Sequence, residues 1–491
     1  MHNDEAVNSV KFGTLLETGN FTYDQEEYHG PVLYYLTLIP AWISGTHKFQ
    51  NLHEWQLRMV PAIAGIGLLL LLLSLRRITG WQTVLAISLI GAISPAMVFF
   101  SRYYIHEMLL ILFTYGFIFS VLYFLKNRQP AWLLMSGAFL GLMFVTKETF
   151  IFVATALILA IVVEQFSWKN RFLYWRDVMQ AVKWHHYLIF FGLACIISIL
   201  FYSSFFQNPQ GIFDSVTTYK AYFTKAGVPG SHWHPWYYYL KILAWNRGPG
   251  WIIWTELPVL ILAFLGTYQA CTKRNTDETD KLFRIVALFT MILMLIYSII
   301  PYKTPWNMLN FYFGMIMMAG YAVVQLAEGI RKGWLRYAFW VIMSGIFLCM
   351  IGQTSLSNYK LPADPSNPYV YGHTGMDIFK MIERISDVAV FHPEGNEIYI
   401  QVICSGNDYW PLPWYLRDYK NVGWWDHVDT ETPLAPLIIA SPDLEEHLID
   451  MIYTRPLPGE KYLYVPLFEE HTELRPGVEI KAFVRQDYRR Y

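Results

Sequence analysis

The sequence predicts a polytopic α-helical membrane protein of about ten spans, with a small extracytoplasmic α/β domain at its C-terminal end. Of the 491 residues, 54% are hydrophobic and 15% are charged, against roughly 25% charge in an ordinary soluble domain. Apolar runs recur near the roughly 20-residue length that crosses a bilayer. After residue 353 prolines and charges rise, and helix-like and strand-like segments alternate.

The predicted spans start with three long apolar runs, which begin at Val60, Trp81 and Tyr104. The others are residues 131–145, 150–163, 187–206, 251–270, 283–300, 308–326 and 335–352. The run PVLYYLTLIPAWISG from Pro31 is short and is broken by Pro40. It therefore predicts an interfacial helix rather than a crossing.

Basic residues predict the orientation, because Lys and Arg accumulate in short cytoplasmic loops. Alternate connections carry such clusters: Arg76, Arg77, Lys126, Arg128, Lys169, Arg171, Arg176, Lys183, Lys273, Arg274, Lys281, Arg284, Arg331, Lys332 and Arg336. The other connections, including a first outer loop at 1–57 and a long outer loop at 207–250, hold isolated charges. We therefore expect a multi-pass plasma-membrane protein with both ends outside. An exported N-terminal segment normally follows a signal or a span, so we also expect a first transmembrane helix before this sequence.

The predicted domains are a transmembrane domain at 1–353, a linker at 354–368 and the extracytoplasmic domain at 369–491. A net charge of -1 gives no indication of nucleic-acid binding. The four cysteines stand singly and predict neither a disulfide framework nor a zinc site.

Ionisable side chains on the outer face mark the candidate site, since charges at membrane depth are costly and usually functional. They are Asp4, Glu5, His29, Arg102, His106, Glu107, Lys147, Glu148 and Lys303. This mixture suits transfer from a phosphate-linked donor. A carboxylate takes the proton of the attacking hydroxyl, and cations stabilise the departing phosphate.

Each of these residues also has a structural interpretation. Asp4 and Glu5 could form a solvated tail, and Arg102 could extend to the headgroups. The remaining alternatives are a helix cap for His106 and Glu107, an ion pair between Lys147 and Glu148 at a tight turn, and a rigid turn at Lys303 between Pro301 and Pro305.

The segment HWHPWYYYLK adds His232, His234 and a belt of aromatic residues, a candidate acceptor-binding region together with His106 and Glu148. An H-x-H pair also binds divalent cations, but no third ligand is indicated and aromatic belts are usual at the membrane interface. The sequence therefore predicts no definite cofactor. The alternative is a bound divalent cation.

An ordered series of segments resembles the GT-C membrane glycosyltransferases. It comprises DEAVNSVKFGTLLETGNFTYDQEEYHGPVLYYLTLIPAWISG, LRMVPAIAGIGLLLLLLSLRRITG, ISPAMVFFSRYYIHEMLL and GAFLGLMFVTKE. The nearest branch is that of the protein mannosyltransferases, the aminoarabinose transferases and their RgtA/B/C/D-like relatives. PYKTPWN and DYWPLPWYLRDY further resemble a prokaryotic subgroup of flippase-activity-associated proteins of archaeal-type N-glycosylation.

The resemblance implies an inverting transfer outside the membrane from a polyprenyl-phosphate sugar to a glycan or protein acceptor. It makes Asp4 the candidate base, with Glu5 beside it and Glu107 where relatives often carry an Asp. Donor-phosphate contacts would come from Arg102 and Lys147, ahead of Lys303, and from His29. His29 stands in HGPV where relatives often have Lys-Pro-Pro-Leu, whereas Lys147 matches a lysine of the relatives.

The alternative function is that of a non-catalytic protein that binds a polyprenyl-linked glycan and assists its flipping. The segment WPLPWYLRDY of the C-terminal domain allows two interpretations. Its aromatic rings could stack on sugar faces of an acceptor, or they could pack on the domain's own sheet. We favour packing, because buried aromatic residues are commoner than exposed sugar platforms.

Overall fold

The computed structural model describes residues 1–25, 29–166, 182–226, 232–273, 277–429, 431–454, 461–468 and 470–488. Two compact units make up the chain. The helical unit contains residues Thr18–Gly45 and Trp55–Tyr371, and the sheet unit contains Met1–Glu17, Thr46–Glu54 and Gly372–Tyr491. The sequence-based boundaries at 353 and 369 stay a prediction; the contacts group residues 1–17 and 46–54 with the C-terminal part of the chain.

The helical unit is built almost entirely of apolar helices. Its α-helices are Val32–Ile43, Glu54–Leu71, Arg76–Thr79, Trp81–Ile93, Pro95–Ser101, Glu107–Asn127, Pro130–Phe144, Phe150–Phe166, Trp184–Tyr202, Gln210–Ala226, Tyr238–Ala244, Leu257–Thr272, Glu278–Ile299, Leu309–Gly329 and Gly333–Ser355. The 3-10 turns Leu72–Leu75 and Pro305–Met308, the π-turn Leu356–Lys360 and the strands β1 (Asn246–Arg247) and β2 (Ile253–Trp254) complete it.

Six helices among the described residues are long and apolar enough to cross a membrane. They are Glu54–Thr79, Glu107–Asn127, Trp184–Tyr202, Glu278–Ile299, Pro305–Gly329 and Gly333–Lys360. The pair Trp81–Ile93 and Pro95–Ser101, bent by 65°, adds a seventh if it forms one broken span. These helices make the chain a polytopic helical membrane protein, while the count of about ten stays a prediction.

Shorter apolar helices occupy several of the other predicted spans. They are Pro130–Phe144, Phe150–Phe166 and Leu257–Thr272. The Pro31 segment forms the 12-residue helix Val32–Ile43, which at 1.5 Å per residue is about 18 Å long and so is shorter than a bilayer core of roughly 30 Å. Its length agrees with the expected interfacial helix.

The helices pack closely where small residues face a neighbouring backbone. Pro130–Phe144 packs against both Glu107–Asn127 and Trp184–Tyr202. A Cβ at Gly137 would lie 2.5 Å from the carbonyl oxygen of Phe190, so only glycine allows this approach, as is usual between membrane helices.

The sheet unit has a mixed five-stranded sheet. Its strands are β3 (Tyr399–Ile403), β4 (Asn421–Trp425), β5 (Leu437–Ala440), β6 (Tyr464–Pro466) and β9 (Lys481–Arg485), in the order β4-β3-β5-β9-β6. β3 runs parallel to β4 and β5, and β9 runs antiparallel to β5 and β6. Strands β7 (Glu473–Arg475) and β8 (Val478–Glu479) form a separate hairpin.

Helices complete this unit. They are the α-helices Asn3–Thr18, Asp377–Phe391, Leu412–Tyr415 and Glu445–Ile449, the 3-10 turns Phe49–Asn51, Gly395–Glu397, Ser405–Asn407, Pro442–Leu444 and Gln486–Tyr488, and the π-turn Asp450–Thr454. The helix Asp377–Phe391 buries Ile378, Met381 and Ile385, which recur every three or four residues and so form one face. That face packs in one core with Ile400 of β3.

Several sequence predictions fall on residues outside the described part of the chain. These are the basic residues Lys169, Arg171, Arg176 and Arg274, and parts of the two predicted outer loops, at 26–28 and 227–231.

Candidate functional site

Five of the predicted site residues form one group in the helical unit, here called the ionic cluster: His29, His106, Glu107, Lys147 and Glu148. All but His29, whose side chain is 39% exposed, are buried. Lys147 and Glu148 lie in the turn between the helices Pro130–Phe144 and Phe150–Phe166, and Glu107 begins the helix Glu107–Asn127. The Lys147 ammonium donates to Glu107 Oε1, with 5% and 6% of the two side chains exposed. Glu148 Oε2 instead meets His29 Nδ1 at 2.7 Å.

Glu148 receives a second contact, because the hydroxyl of Tyr23 donates to its Oε1 at 3.1 Å. Burial alone would raise the pKa of the Glu148 carboxyl. The charge and hydrogen bond of His29, with the nearby Lys147, nevertheless hold that pKa below its ordinary value. Glu148 is therefore a carboxylate stabilised by its partners.

The segment at Gly30 places His29 beside Glu148. The Gly30 amide donates to the Thr146 carbonyl at 3.1 Å, and the Val32 amide donates to the Val145 carbonyl at 3.2 Å. A Cβ at Gly30 would overlap the Val145 carbonyl. Glycine is therefore required for the two backbones to approach this closely.

His106 is completely buried beneath this segment. Its Nε2 donates to the Gly30 carbonyl at 3.0 Å, while Nδ1 has no hydrogen-bond partner among the described residues. Burial, with the charges of His29 and Lys147, holds the pKa of His106 well below its ordinary value. The imidazole is therefore neutral, with its proton on Nε2.

Lys303 belongs to a second group in the helical unit, with His232, His234 and Tyr371. The Lys303 ammonium donates to the carbonyls of Ile300 and, at 3.2 Å, His234. His232 Nδ1 and His234 Nε2 lie 2.7 Å and 3.4 Å from the Tyr371 hydroxyl.

Lys303 differs from Lys147 in its surroundings. Its side chain is buried, and none of the described carboxylates forms an ion pair with it. Burial lowers the pKa of Lys303. Lys303 is thus a buried cation that hydrogen bonds to backbone carbonyls.

The histidines of this group belong to no described cluster of metal-ligating side chains. In the described part of the chain, no three His, Cys, Asp or Glu side chains are grouped as ligands of one ion. Both imidazoles contact a phenol hydroxyl instead.

Arg102 follows the bent helix pair and lies at a third place in the helical unit. Its Nη1 donates to the carbonyl oxygen and to Oδ1 of Asn358 at 2.9 and 3.1 Å. Its guanidinium also lies 4.9 Å from the ring centre of Tyr359. The side chain is nevertheless exposed, so Arg102 keeps donors available.

The acid pair lies in the first turn of the helix Asn3–Thr18, within the sheet unit. Glu5 is fully buried and accepts a hydrogen bond from the His2 amide at 3.0 Å. Asp4 is partly exposed, and the positive end of the helix dipole favours its charge. Of the two acids, Asp4 is the accessible one.

Arg475 of β7 lies within electrostatic range of Asp4, a neighbour that the sequence did not suggest. Its guanidinium donates to Asp408 and, at 2.6 Å, to the Trp410 carbonyl. The Asn3 side-chain amide donates to the Trp410 carbonyl, and in this orientation Asn3 Oδ1 accepts from the Arg475 guanidinium at 3.1 and 3.2 Å.

The carboxyl of Glu256 was also missed. It is fully buried and accepts from the Ser94 hydroxyl at 2.8 Å and from the Ala96 amide at 3.0 Å. It therefore caps the second half of the bent pair. The only sequence signal is an acid directly before the apolar run at Leu257.

Comparisons with known proteins address the fold. Residues 29–202 match the model of the dolichyl-phosphate-mannose-protein mannosyltransferase family. No curated protein sequence matches the chain.

Solved structures give matches over the whole length. ArnT from Cupriavidus metallidurans in the apo state is 12% identical, with a TM-score of 0.61, over 97% of this chain and 93% of ArnT. ArnT bound to undecaprenyl phosphate is 14% identical, with a TM-score of 0.59, over 98% and 93%. The Archaeoglobus fulgidus oligosaccharyltransferase tethered with an acceptor peptide is 10% identical, with a TM-score of 0.55, over 92% of this chain and 66% of that one. These matches confirm the resemblance predicted from the sequence: the chain has the fold of the GT-C glycosyltransferase superfamily.

Proposed function

We propose that the chain transfers a sugar, with inversion, from a polyprenyl-phosphate donor to a lipid-linked glycan, polysaccharide or protein acceptor. The observation that carries the proposal is that the family match over residues 29–202 contains the whole ionic cluster. The undecaprenyl phosphate bound to one structural neighbour and the acceptor peptide of another support these substrate classes. The proposal includes a plasma-membrane location, about ten spans and an extracytoplasmic C-terminal domain.

Asp4 is the proposed base. The acceptor oxygen or nitrogen attacks the anomeric carbon, and the Asp4 carboxylate takes the acceptor proton. The bond between the anomeric carbon and the phosphate oxygen breaks, and its electron pair leaves with the polyprenyl phosphate. Accessibility supports Asp4 over Glu5, since the Glu5 carboxylate is buried and accepts the His2 amide. Glu107 is the third proposed acid, although its carboxylate is paired with Lys147.

The donor phosphate needs cations whose charge is not already neutralised. Arg102 is exposed, and Lys303 has only carbonyl oxygens as described hydrogen-bond partners. Lys147 is paired with Glu107, and His29 with Glu148. We therefore place Arg102 and Lys303 ahead of Lys147 and His29 as phosphate contacts. His106, Glu148, His232 and His234 remain the proposed acceptor-binding residues.

Asp4→Asn tests the proposal in membranes supplied with a radiolabelled polyprenyl-phosphate sugar. Loss of a general base lowers rates by about 10²–10⁴-fold, so transfer should fall at least about 100-fold. Asp387→Asn is the matched control, because Asp387 is an exposed acid of the same unit, and its transfer rate should be unchanged.

Two outcomes contradict the proposal. Transfer by Asp4→Asn at the unchanged rate eliminates Asp4 as the base. Binding of the labelled donor by the unaltered protein, without turnover on glycan, lipid-linked or peptide acceptors, favours the non-catalytic role in flipping.

A further inference from the structure

A basic cleft in the sheet unit lies outside every site described above. Its volume is about 610 Å³, and its lining includes Lys48, Phe49, Arg417, Tyr419 and Lys420. Ligand sites commonly occupy about 300–1,000 Å³. The cleft is therefore large enough for a sugar residue and its substituents.

Arg417 is held rigidly at this cleft. Its Nη1 donates to the Trp414 carbonyl at 2.6 Å, and Nη2 donates to the Leu52 carbonyl at 3.4 Å. The guanidinium stacks on the Trp414 ring at 4.1 Å, and Phe49 supports that ring from 5.9 Å. Nε has no partner among the described residues although it is buried. Each Nη keeps a further N–H donor beside these bonds, so the fixed guanidinium is preorganised for an anion.

Two lysines extend the positive charge. Lys48 is exposed and has no described ion-pair partner, whereas Lys420 pairs with Glu397 at 2.5 Å. The acids near the cleft do not cancel this charge completely. Glu17 lines the cleft and accepts the Phe49 amide at 2.8 Å, and Asp418 and Glu54 are charges near Arg417.

We propose that this cleft binds a carboxylate or phosphate group carried by a saccharide. The Arg417 fork matches the geometry of such an anion, Lys48 adds a point charge, and Tyr419 and Phe49 offer rings to the apolar face of a sugar. The role of this saccharide as the acceptor rests on the proposed function. Trp414 is itself buried under Arg417, so the contact to the anion comes from the arginine.

Binding of tetragalacturonate to the full chain in phosphatidylcholine nanodiscs tests the proposal by calorimetry, with neutral cellotetraose for comparison. Lys48→Gln should weaken tetragalacturonate binding about threefold, as expected for an exposed charge. Arg417→Gln should weaken it at least about tenfold, because a charge-assisted hydrogen bond is lost. Lys461→Gln is the control, since Lys461 is an exposed lysine of the same unit that lies outside the cleft and donates to the Tyr453 carbonyl. The affinity of this variant for tetragalacturonate should not change.

Several results overturn the proposal. The first is an affinity for cellotetraose equal to that for tetragalacturonate. The second is an equal effect of Lys48→Gln and Lys461→Gln on tetragalacturonate affinity. The third is an affinity for inorganic phosphate as high as that for tetragalacturonate. Binding that requires phosphatidylglycerol in the nanodisc assigns the cleft to a lipid surface instead. The assay contains no donor, so failure of sugar transfer leaves the binding result intact and contradicts only the proposed function.

Discussion

The ion pair between Lys147 and Glu107 allows a quantitative test of the ionic cluster. Only 5% and 6% of the two side chains are exposed, so each charge depends on the other rather than on water. Removing one partner of such a pair destabilises a protein by about 3–5 kcal/mol, because a buried charge is left uncompensated. Replacing both partners with uncharged residues of similar size is often nearly neutral. We therefore expect Lys147→Met and Glu107→Gln each to be severe, and the double variant to recover most of the loss.

The chain supplies its own control. Lys420 and Glu397 form the same kind of pair, at 2.5 Å, with 62% and 59% of their side chains exposed. Exposed pairs contribute about 0–1 kcal/mol. A double-mutant cycle on this pair should therefore give a coupling energy close to zero.

Both cycles can be measured by amide hydrogen exchange in detergent micelles, because peptides from each unit report its local unfolding free energy. The cycle on Lys147 and Glu107 should give a coupling of at least about 2 kcal/mol. The reasoning is refuted if Lys147→Met is as stable as the unaltered protein. It is also refuted if the double variant is no more stable than the less stable of the two single variants. Equal coupling in the two cycles would refute it too, because burial would then have no effect.

Two further predictions concern the same cluster. Gly30→Ala should destabilise the helical unit by about 1–3 kcal/mol, because the new Cβ overlaps the Val145 carbonyl. The control is Gly192→Ala, whose Cβ meets no atom within 4 Å. In the same exchange measurement this control should leave the stability of the unit unchanged. In the folded chain the pKa of His106 lies well below its ordinary value of 6.5. Below pH 6.5 the imidazole therefore takes up a proton when the chain unfolds. Stability should therefore decrease as the pH falls below 6.5, by up to about 1.4 kcal/mol per pH unit. In thermal unfolding between pH 7 and about pH 5, His106→Asn should flatten this pH dependence of stability. His471→Asn, at an exposed histidine, should not flatten it. The prediction is contradicted if the stability of His106→Asn depends on pH as that of the unaltered protein does.

The helices were predictable because length and hydropathy are local properties. Residues 283–299 of the predicted run 283–300 lie on the helix Glu278–Ile299. The earlier start of that helix follows from Asp277, whose side chain accepts the Asp280 amide at 2.7 Å. A hydropathy window does not detect this cap, since the first turn is polar.

The residue types of the candidate site were also predictable, but their pairing was not. Lys147 and Glu148 suggested an ion pair with each other at a tight turn, whereas the structure pairs Lys147 with Glu107 and Glu148 with His29. The partners are 40 and 119 positions apart. The backbone contacts of Gly30 with Thr146 and of Val32 with Val145 bring His29 to the turn, and nothing local in the sequence encodes these contacts.

Membership of the sheet unit was equally hidden. The Thr374 hydroxyl donates to the Met1 carbonyl at 2.5 Å, and His2 and His373 lie with their rings 4.5 Å apart. These contacts join the two residues before the helix Asn3–Thr18 to the chain after residue 372. No periodicity or motif links segments that are more than 370 positions apart.

The pairing of charges changes which cations could act on the proposed donor phosphate. The sequence offers Arg102, Lys147 and Lys303 as candidates, with Arg102 and Lys147 ahead of Lys303, and each is an isolated cation on the predicted outer face. In the structure the charge of Lys147 is neutralised by a buried carboxylate, whereas Lys303 contacts carbonyl dipoles and Arg102 contacts Asn358. An incoming phosphate would have to displace a carboxylate at Lys147. It would only have to compete with neutral oxygens at Lys303, where the buried charge would gain a counter-ion.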